Sequence, residues 1–148
     1  MLPPSLRWNG EQLDLLDQRR LPHDIAILPL RHWRDVAEAI STMAVRGAPA
    51  IGIAAAWGVV LAARAGDDLE EAIAVLRASR PTAVNLGWAL DRMRDSEAAH
   101  PPVDPAALQE LAQNIEAEDR RLTQRLVDHG VALLPSDCRL LHHCHTGA

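Results

Sequence analysis

The chain has 148 residues, enough for one domain with a real core, and its 48 % apolar and 24 % charged content is that of a globular protein. Every basic residue is Arg, and the formal net charge of −5 excludes a broad electrostatic grip on nucleic acid or an anionic membrane. Met1 to Ser5 lacks the basic start and apolar run of a signal peptide, and two cysteines, Cys138 and Cys144, are too few for a disulfide framework; both point to a reduced, cytoplasmic setting.

Leu6-Arg7-Trp8, Asn9-Gly10 and Leu13-Asp14-Leu15 predict a β-hairpin, with alternating apolar residues around a dipeptide that tolerates positive φ. A second β-prone stretch runs from Ile25 to Leu30 and is expected to end around Pro29. The period then changes. Val36, Ile40 and Met43 at i, i+4, i+7 predict a short amphipathic helix stopping near Arg46-Gly47. From Gly47 to Ala63 there is no charge, and Pro49 suits a helical first turn. At 1.5 Å per residue this helix would be roughly 22 Å long, short of the ~30 Å hydrocarbon core of a membrane. Its small residues suit a buried central helix instead.

Gly66 is expected to end that helix and Asp67 or Asp68 to cap the next, which carries Leu69, Ile73 and Leu76. After Ser79-Arg80-Pro81-Thr82 a helix resumes with Leu86, Leu90 and Met93 inward. The loop His100 to Pro105 leads into the longest helix, with Leu108, Leu111, Ile115, Leu122 and Leu126 expected inward and Gly130 at its end. Arg139 to Cys144 is strand-like, and with Thr146-Gly147-Ala148 it looks like the first strand and turn of an α/β, Rossmann-like sheet. No partner strand follows, so the chain is expected to be truncated. The fold class is α+β: a mainly helical domain over residues 1–134 with a small amino-terminal antiparallel sheet, then a stub of a second domain over 135–148. The unpaired strand and uncovered helix faces predict self-association or poor solubility, with a homo-oligomer as one form the former could take.

Two places join an Arg to a helix start. Arg46-Gly47-Ala48-Pro49 runs into the apolar helix, where free N–H groups and the positive end of the helix dipole make an anion seat, and Gly47 permits close approach. Arg46 adds a forked donor for phosphate. Arg80-Pro81-Thr82 repeats the pattern before what is expected to be a Pro-initiated helix, and the two Arg could hold one phosphate from two sides. The bland alternative is two solvated arginines beside ordinary turns. The third place is His142-His143-Cys144-His145. Strand alternation puts His142 and Cys144 on one face and His143 and His145 on the other, so the four cannot wrap one tetrahedral ion, and no metal site is expected. Cys144 is either a buried structural thiol or, at the carboxyl end of an α/β strand, a group facing a ligand crevice.

Four segments in this order resemble the methylthioribose-1-phosphate isomerase family: Leu15 to Pro22 (Leu-Leu-Asp-Gln-Arg-Arg-Leu-Pro), Val45 to Gly52 (Val-Arg-Gly-Ala-Pro-Ala-Ile-Gly), Arg80 to Leu86 (Arg-Pro-Thr-Ala-Val-Asn-Leu) and His143 to Ala148. The regulatory subunits of translation initiation factor 2B and ribose-1,5-bisphosphate isomerase share the scaffold, and Asp17 to Pro22 favours the first family. The resemblance implies an aldose–ketose isomerase that converts 5-methylthioribose 1-phosphate to 5-methylthioribulose 1-phosphate in methionine salvage, with a sugar phosphate as its partner and no cofactor. It places the phosphate-binding motif on Arg46, Gly47 and Ala48, a second substrate-binding Arg on Arg80 and the active-site Cys on Cys144. His142 and His145 depart from the family pattern. The family's catalytic Asp lies in a second domain, and neither Asp128 nor Asp137 falls in its motif, so little turnover is expected of this chain alone.

Overall fold

A computed structural model of the chain describes residues 3–141. Three strands open it: β1 (Leu6–Trp8), β2 (Leu13–Leu16) and β3 (Ile27–Leu30), antiparallel in the order β1-β2-β3. Leu6 faces Leu15 and Trp8 faces Leu13 across the first pair; Leu13 faces Leu30 and Leu15 faces Leu28 across the second. Alternation puts Leu13 and Leu15 in the core, while Asp14 between them points outward to Arg7. The hairpin turn is longer than the Asn9-Gly10 pair suggests. Asn9 accepts through its side chain from the N–H groups of Glu11 and Gln12, which closes a four-residue loop from residue 9 to 12. Pro29 does not end the second stretch either: it pairs opposite Asp14 within β3, an edge strand, where a residue without an N–H is tolerated.

Five helices follow: α1 (Trp33–Ser41), α2 (Ala48–Ala65), α3 (Leu69–Ser79), α4 (Val84–Arg94) and α5 (Pro105–Val131), with a single 3-10 turn at Glu97–Ala99. The fold is α+β and mainly helical, as the periodicities predict. In α1, Val36 and Ile40 are fully buried, but Met43 lies beyond the helix end with φ of +59° and half of its surface exposed. The expected three-residue stripe is therefore two residues long. Helix α2 is the axis of the molecule, and every residue from Ile51 to Ala63 is buried against α1, α3, α4 and α5. By length and composition α2 could cross a membrane, but its apolar surface is used inside the fold. Glycines allow the closeness: a methyl on Gly58 would come within 3.0 Å of the Leu76 side chain on α3. The sheet docks on the same helix through Trp8, whose indole stacks on that of Trp57 at 4.5 Å.

Gly66 ends α2 in the left-handed conformation and Asp68 caps α3, as expected. Helix α4 departs from expectation. It starts at Val84, with Ala83 as its N-cap, so Pro81 does not initiate it; Arg80 instead terminates α3, and the Ala83 N–H closes the turn onto the Arg80 carbonyl at 3.0 Å. Helix α5 buries Leu108, Ala112 and Ile115, but Leu122 and Leu126, expected inward, are 63 % and 69 % exposed, because no described element covers the second half of this helix. Of the predicted terminal strand, Arg139 to Leu141 form no strand, and His142 to Cys144 lie outside the described residues.

Candidate functional site

The start of α2 is built by the end of β2. Beyond Leu16 the chain stays pinned: the Asp17 N–H donates to the Ala26 carbonyl and the Gln18 N–H to the Ala44 carbonyl, each at 2.9 Å. The Gln18 carbonyl accepts from Arg46 Nη2, also at 2.9 Å, which fixes one nitrogen of that exposed guanidinium and leaves the rest free to donate. A second brace stands beside this one. Asp17 is buried, and its carboxylate accepts from the Arg19 backbone N–H, Nε and Nη2, while Arg19 Nη1 reaches Thr42 Oγ1 at 3.0 Å. These bonds from Arg19 hold the Asp17 carboxyl below the ordinary aspartate range, despite the opposing effect of burial. The segment Asp-Gln-Arg, which in the sequence only distinguished one family from its relatives, thus props the loop from Thr42 to Gly47.

That loop delivers Arg46 to the mouth of α2. Gly47 is the N-cap with φ of +102°, a conformation that glycine alone adopts without strain. It offers no side chain to satisfy the first-turn N–H groups, and neither does Ala83 at the start of α4. Elsewhere the caps are present: His32, Asp68 and Asp104 each accept from the first turns of α1, α3 and α5. Helices α2 and α4 also begin side by side. A methyl on Gly52 would lie 2.8 Å from the Asn85 carbonyl oxygen, so backbone meets backbone there. Two uncapped, adjacent N-termini concentrate unpaired amide donors and positive dipole ends at one end of the bundle, beside Arg46.

Arg80 sits half-buried in the turn between α3 and α4. It lines a hollow of about 380 Å³ together with Arg77, Pro81, Ala83 and Gly87. Arg77 is engaged by Asp91, whereas Arg80 and Arg46 form no ion pair among the described residues. A second hollow of about 290 Å³ lies between α2, α4 and α5, with Pro49, Asn85, Trp88 and Asp119 on its walls. Neither hollow is lined by both Arg46 and Arg80. What the fold brings together is the start of α2, which follows Arg46, and the start of α4, whose preceding turn opens at Arg80. Cys144, with His142 and His145, lies outside the described residues.

Sequence reasoning passed over Gln18, whose contribution is a backbone carbonyl and leaves no trace in residue type. It also assigned no site role to Asn85, which it quoted only within a family motif, or to Trp88 and Asp119. Trp88 falls two residues after Leu86 on α4, off the apolar stripe, and that exposed position was the available signal.

The profile of the initiation factor 2 subunit family matches residues 44–148. A curated relative from Parasynechococcus marenigrum (strain WH8102), named methylthioribose-1-phosphate isomerase, is 69 % identical over 147 residues, 99 % of this chain and 44 % of the relative. Among solved structures, the 5-methylthioribose 1-phosphate isomerase of Pyrococcus horikoshii OT3 superposes with a TM-score of 0.83 at 32 % identity, covering 90 % of this chain and 41 % of that one. The delta subunit of translation initiation factor eIF-2B from A. fulgidus superposes with a TM-score of 0.64 at 31 % identity, covering 84 % of this chain and 37 % of that one. The chain therefore spans under half the length of the relatives it matches.

Proposed function

Because the chain belongs to the initiation factor 2 subunit family, we propose that it supplies the phosphate-binding part of an isomerase acting on 5-methylthioribose 1-phosphate. The observation that carries this reading is the pair of adjacent, uncapped helix starts beside a braced Arg46, in a chain 69 % identical to a protein named for that activity. Arg46, Gly47 and Ala48 seat the phosphate: amides at the head of α2 donate to its oxygens, and the free guanidinium nitrogens of Arg46 add charge. Arg80 brings a second guanidinium from the α3–α4 turn.

The reaction is an internal redistribution of hydrogen. The aldose is locked as a glycosyl phosphate, so its ring opens first; hydrogen then passes between C1 and C2 as a proton or a hydride, giving the ketose with nothing else consumed. That chemistry asks for one acid and one base within reach of the sugar carbons and for no cofactor. Cys144 is the thiol assigned to it by resemblance. The proposed division places residues 1–134 in the helical binding domain and 135–148 at the beginning of a second, Rossmann-like domain. The setting is cytoplasmic, the partner is the sugar phosphate rather than nucleic acid or membrane, and the exposed apolar surface of α5 favours a homo-oligomer.

Isothermal titration with 5-methylthioribose 1-phosphate, paired with an isomerisation assay, tests this reading. We expect binding without appreciable turnover, and a loss of affinity of about tenfold or more in Arg46→Ala and in Arg80→Ala, as for removal of a charge-assisted hydrogen bond. Absence of binding would contradict the phosphate seat, and robust turnover would contradict the division of labour. The likeness to the eIF-2B delta subunit favours a second reading, a protein-contact module on the same helical scaffold. Under that reading both Arg variants retain full binding to a protein partner, and the sugar phosphate never binds.

A further inference from the structure

The side chains that cap α1, α3 and α5 differ in kind: Asp68 and Asp104 accept through carboxylates, His32 through an imidazole. His32 Nδ1 accepts from the Arg34 N–H at 3.2 Å, and Asp35 answers by accepting from the His32 N–H at 3.1 Å. The other ring nitrogen, Nε2, lies 3.1 Å from Asp67 Oδ2 in the turn between α2 and α3. The same oxygen accepts from the indole Nε1 of buried Trp33 at 2.8 Å. Only one neutral tautomer serves both contacts of the ring: Nδ1 without hydrogen receives the Arg34 N–H, and Nε2 with its hydrogen donates to Asp67. The other charges nearby are engaged. The Arg34 guanidinium lies over the Trp33 ring at 4.0 Å and pairs with Glu71 on α3 at 2.7 Å. Asp68 accepts from the first turn of α3, and Arg31 donates to Gln12 Oε1 at 2.7 Å. Asp67 and Asp35 are therefore the charged groups bonded to His32.

We propose that His32 is a pH-sensitive cap, which closes the first turn of α1 when neutral and exchanges that closure for an ion pair with Asp67 when protonated. An imidazolium carries hydrogen on both nitrogens, so Nδ1 can no longer accept and its N–H meets that of Arg34. Nε2 keeps its hydrogen and its bond to Asp67, which becomes charge-assisted. The ring therefore stays tied to the α2–α3 turn while the start of α1 opens. The His32 side chain is 39 % exposed, so a proton reaches it without unfolding of the chain. This device is separate from the phosphate seat. Asp67 follows the carboxyl end of α2, about 27 Å along that 18-residue helix from Ala48.

NMR on the isotopically labelled 148-residue chain tests the exchange. Histidine ordinarily changes charge between about pH 5 and 8, which sets the range of the titration. At the upper end, long-range correlations of the His32 ring should show hydrogen on Nε2 and none on Nδ1. As the ring gains its second proton, the Arg34 amide signal should move with it. Its protection from hydrogen exchange, corrected for the intrinsic pH dependence of exchange, should fall about fivefold relative to the Glu70 amide held by Asp68, the scale of a lost N-cap. His32→Asn supplies a side chain that caps without titrating, so it should keep Arg34 protected throughout and abolish the pH dependence. The opposite tautomer at the upper end of the range would overturn the proposal. So would an Arg34 amide indifferent to the His32 titration, or the same pH response in His32→Asn as in the wild type.

Discussion

The starts of α2 and α4 carry the same written signal, an Arg followed closely by a Pro, and the fold uses it in two different ways. At α2 the signal is literal: Gly47 caps, Pro49 lies in the first turn, and Arg46 is braced by the Gln18 carbonyl. At α4 it is displaced: Arg80 closes α3, Pro81 and Thr82 make a turn, and the helix begins only at Val84. Proline fixes one torsion of its own residue, so it is compatible with both outcomes. What decides between them is tertiary. The α2 start is tied to the sheet through Ala44 and Gln18, whereas the α4 start is set by how closely α4 must approach α2 at Gly52.

That approach is the point at which the arrangement breaks most severely. A methyl on Gly52 would stand 2.8 Å from the Asn85 carbonyl oxygen, a backbone atom that cannot swing aside. Gly52→Ala should therefore force the two helix starts apart and destabilise the chain by about 2 kcal/mol, the scale of overpacking in a core. Urea denaturation measures the loss, and sugar-phosphate binding should weaken in the same variant. The contrasting control is Gly10, which has open space around it although its φ is positive, and its replacement by Ala should cost less.

The second largest effect tests the brace on the α2 side alone. Asp17→Asn removes the charge from a buried group that accepts three hydrogen bonds from Arg19, and should cost about 1.5 kcal/mol at neutral pH. The folded protein holds this carboxyl below its ordinary pKa, so its contribution is complete above that ordinary value and disappears as the pH falls through the folded one. The gap between the wild type and Asp17→Asn should accordingly close as denaturation is repeated below about pH 4. A gap independent of pH would mean that the carboxylate charge is not what holds the loop.

Much of this architecture is legible in the sequence because it follows from period and composition. The hairpin, the buried α2, the Gly66 and Asp68 boundary and the inward faces of α3 and α4 all come from local pattern. The failures share a cause. Met43 continues the stripe of α1 in number but not in space, because the helix has already ended; Leu122 and Leu126 continue the stripe of α5 in space, but nothing described lies against them. Periodicity shows which face of a helix is apolar, not how far its neighbours extend. The candidate site was half legible for a similar reason. The roles proposed for Arg46, Gly47 and Ala48 rest on side-chain type and backbone freedom, which the sequence displays. The Gln18 carbonyl and the meeting of Gly52 with Asn85 act through the backbone, and only packing reveals them.

On the α4 side the expected effect is smaller. Arg77 joins α3 to α4 through Asp91, and its Nη1 lies 3.2 Å from where a methyl on Gly87 would stand. Both partners are more than a third exposed, so solvent screens the pair, and Arg77→Ala should cost about 0.5 kcal/mol. Were thermal denaturation to show a loss near that of Asp17→Asn, the α4 start would depend on electrostatics as much as the α2 start does, and the contrast between them would fail.

The smallest effect carries the opposite sign. Asp119 faces the hollow that both helix starts border, and burial raises its pKa in the folded protein. Between its unfolded and folded values the native state binds more protons than the unfolded one, so stability from this group falls as the pH rises through that interval. Asp119→Asn removes the penalty. The variant should equal the wild type at low pH, where both side chains are neutral, and exceed it slightly at neutral pH, by no more than about 0.5 kcal/mol. Asp17→Asn runs the other way over the same acidic range, so measuring both on one pH series separates a carboxylate that braces the chain from one held in a groove at a cost. If Asp119→Asn were destabilising at neutral pH, its carboxylate would be paired in solution, and burial would not be what governs its proton.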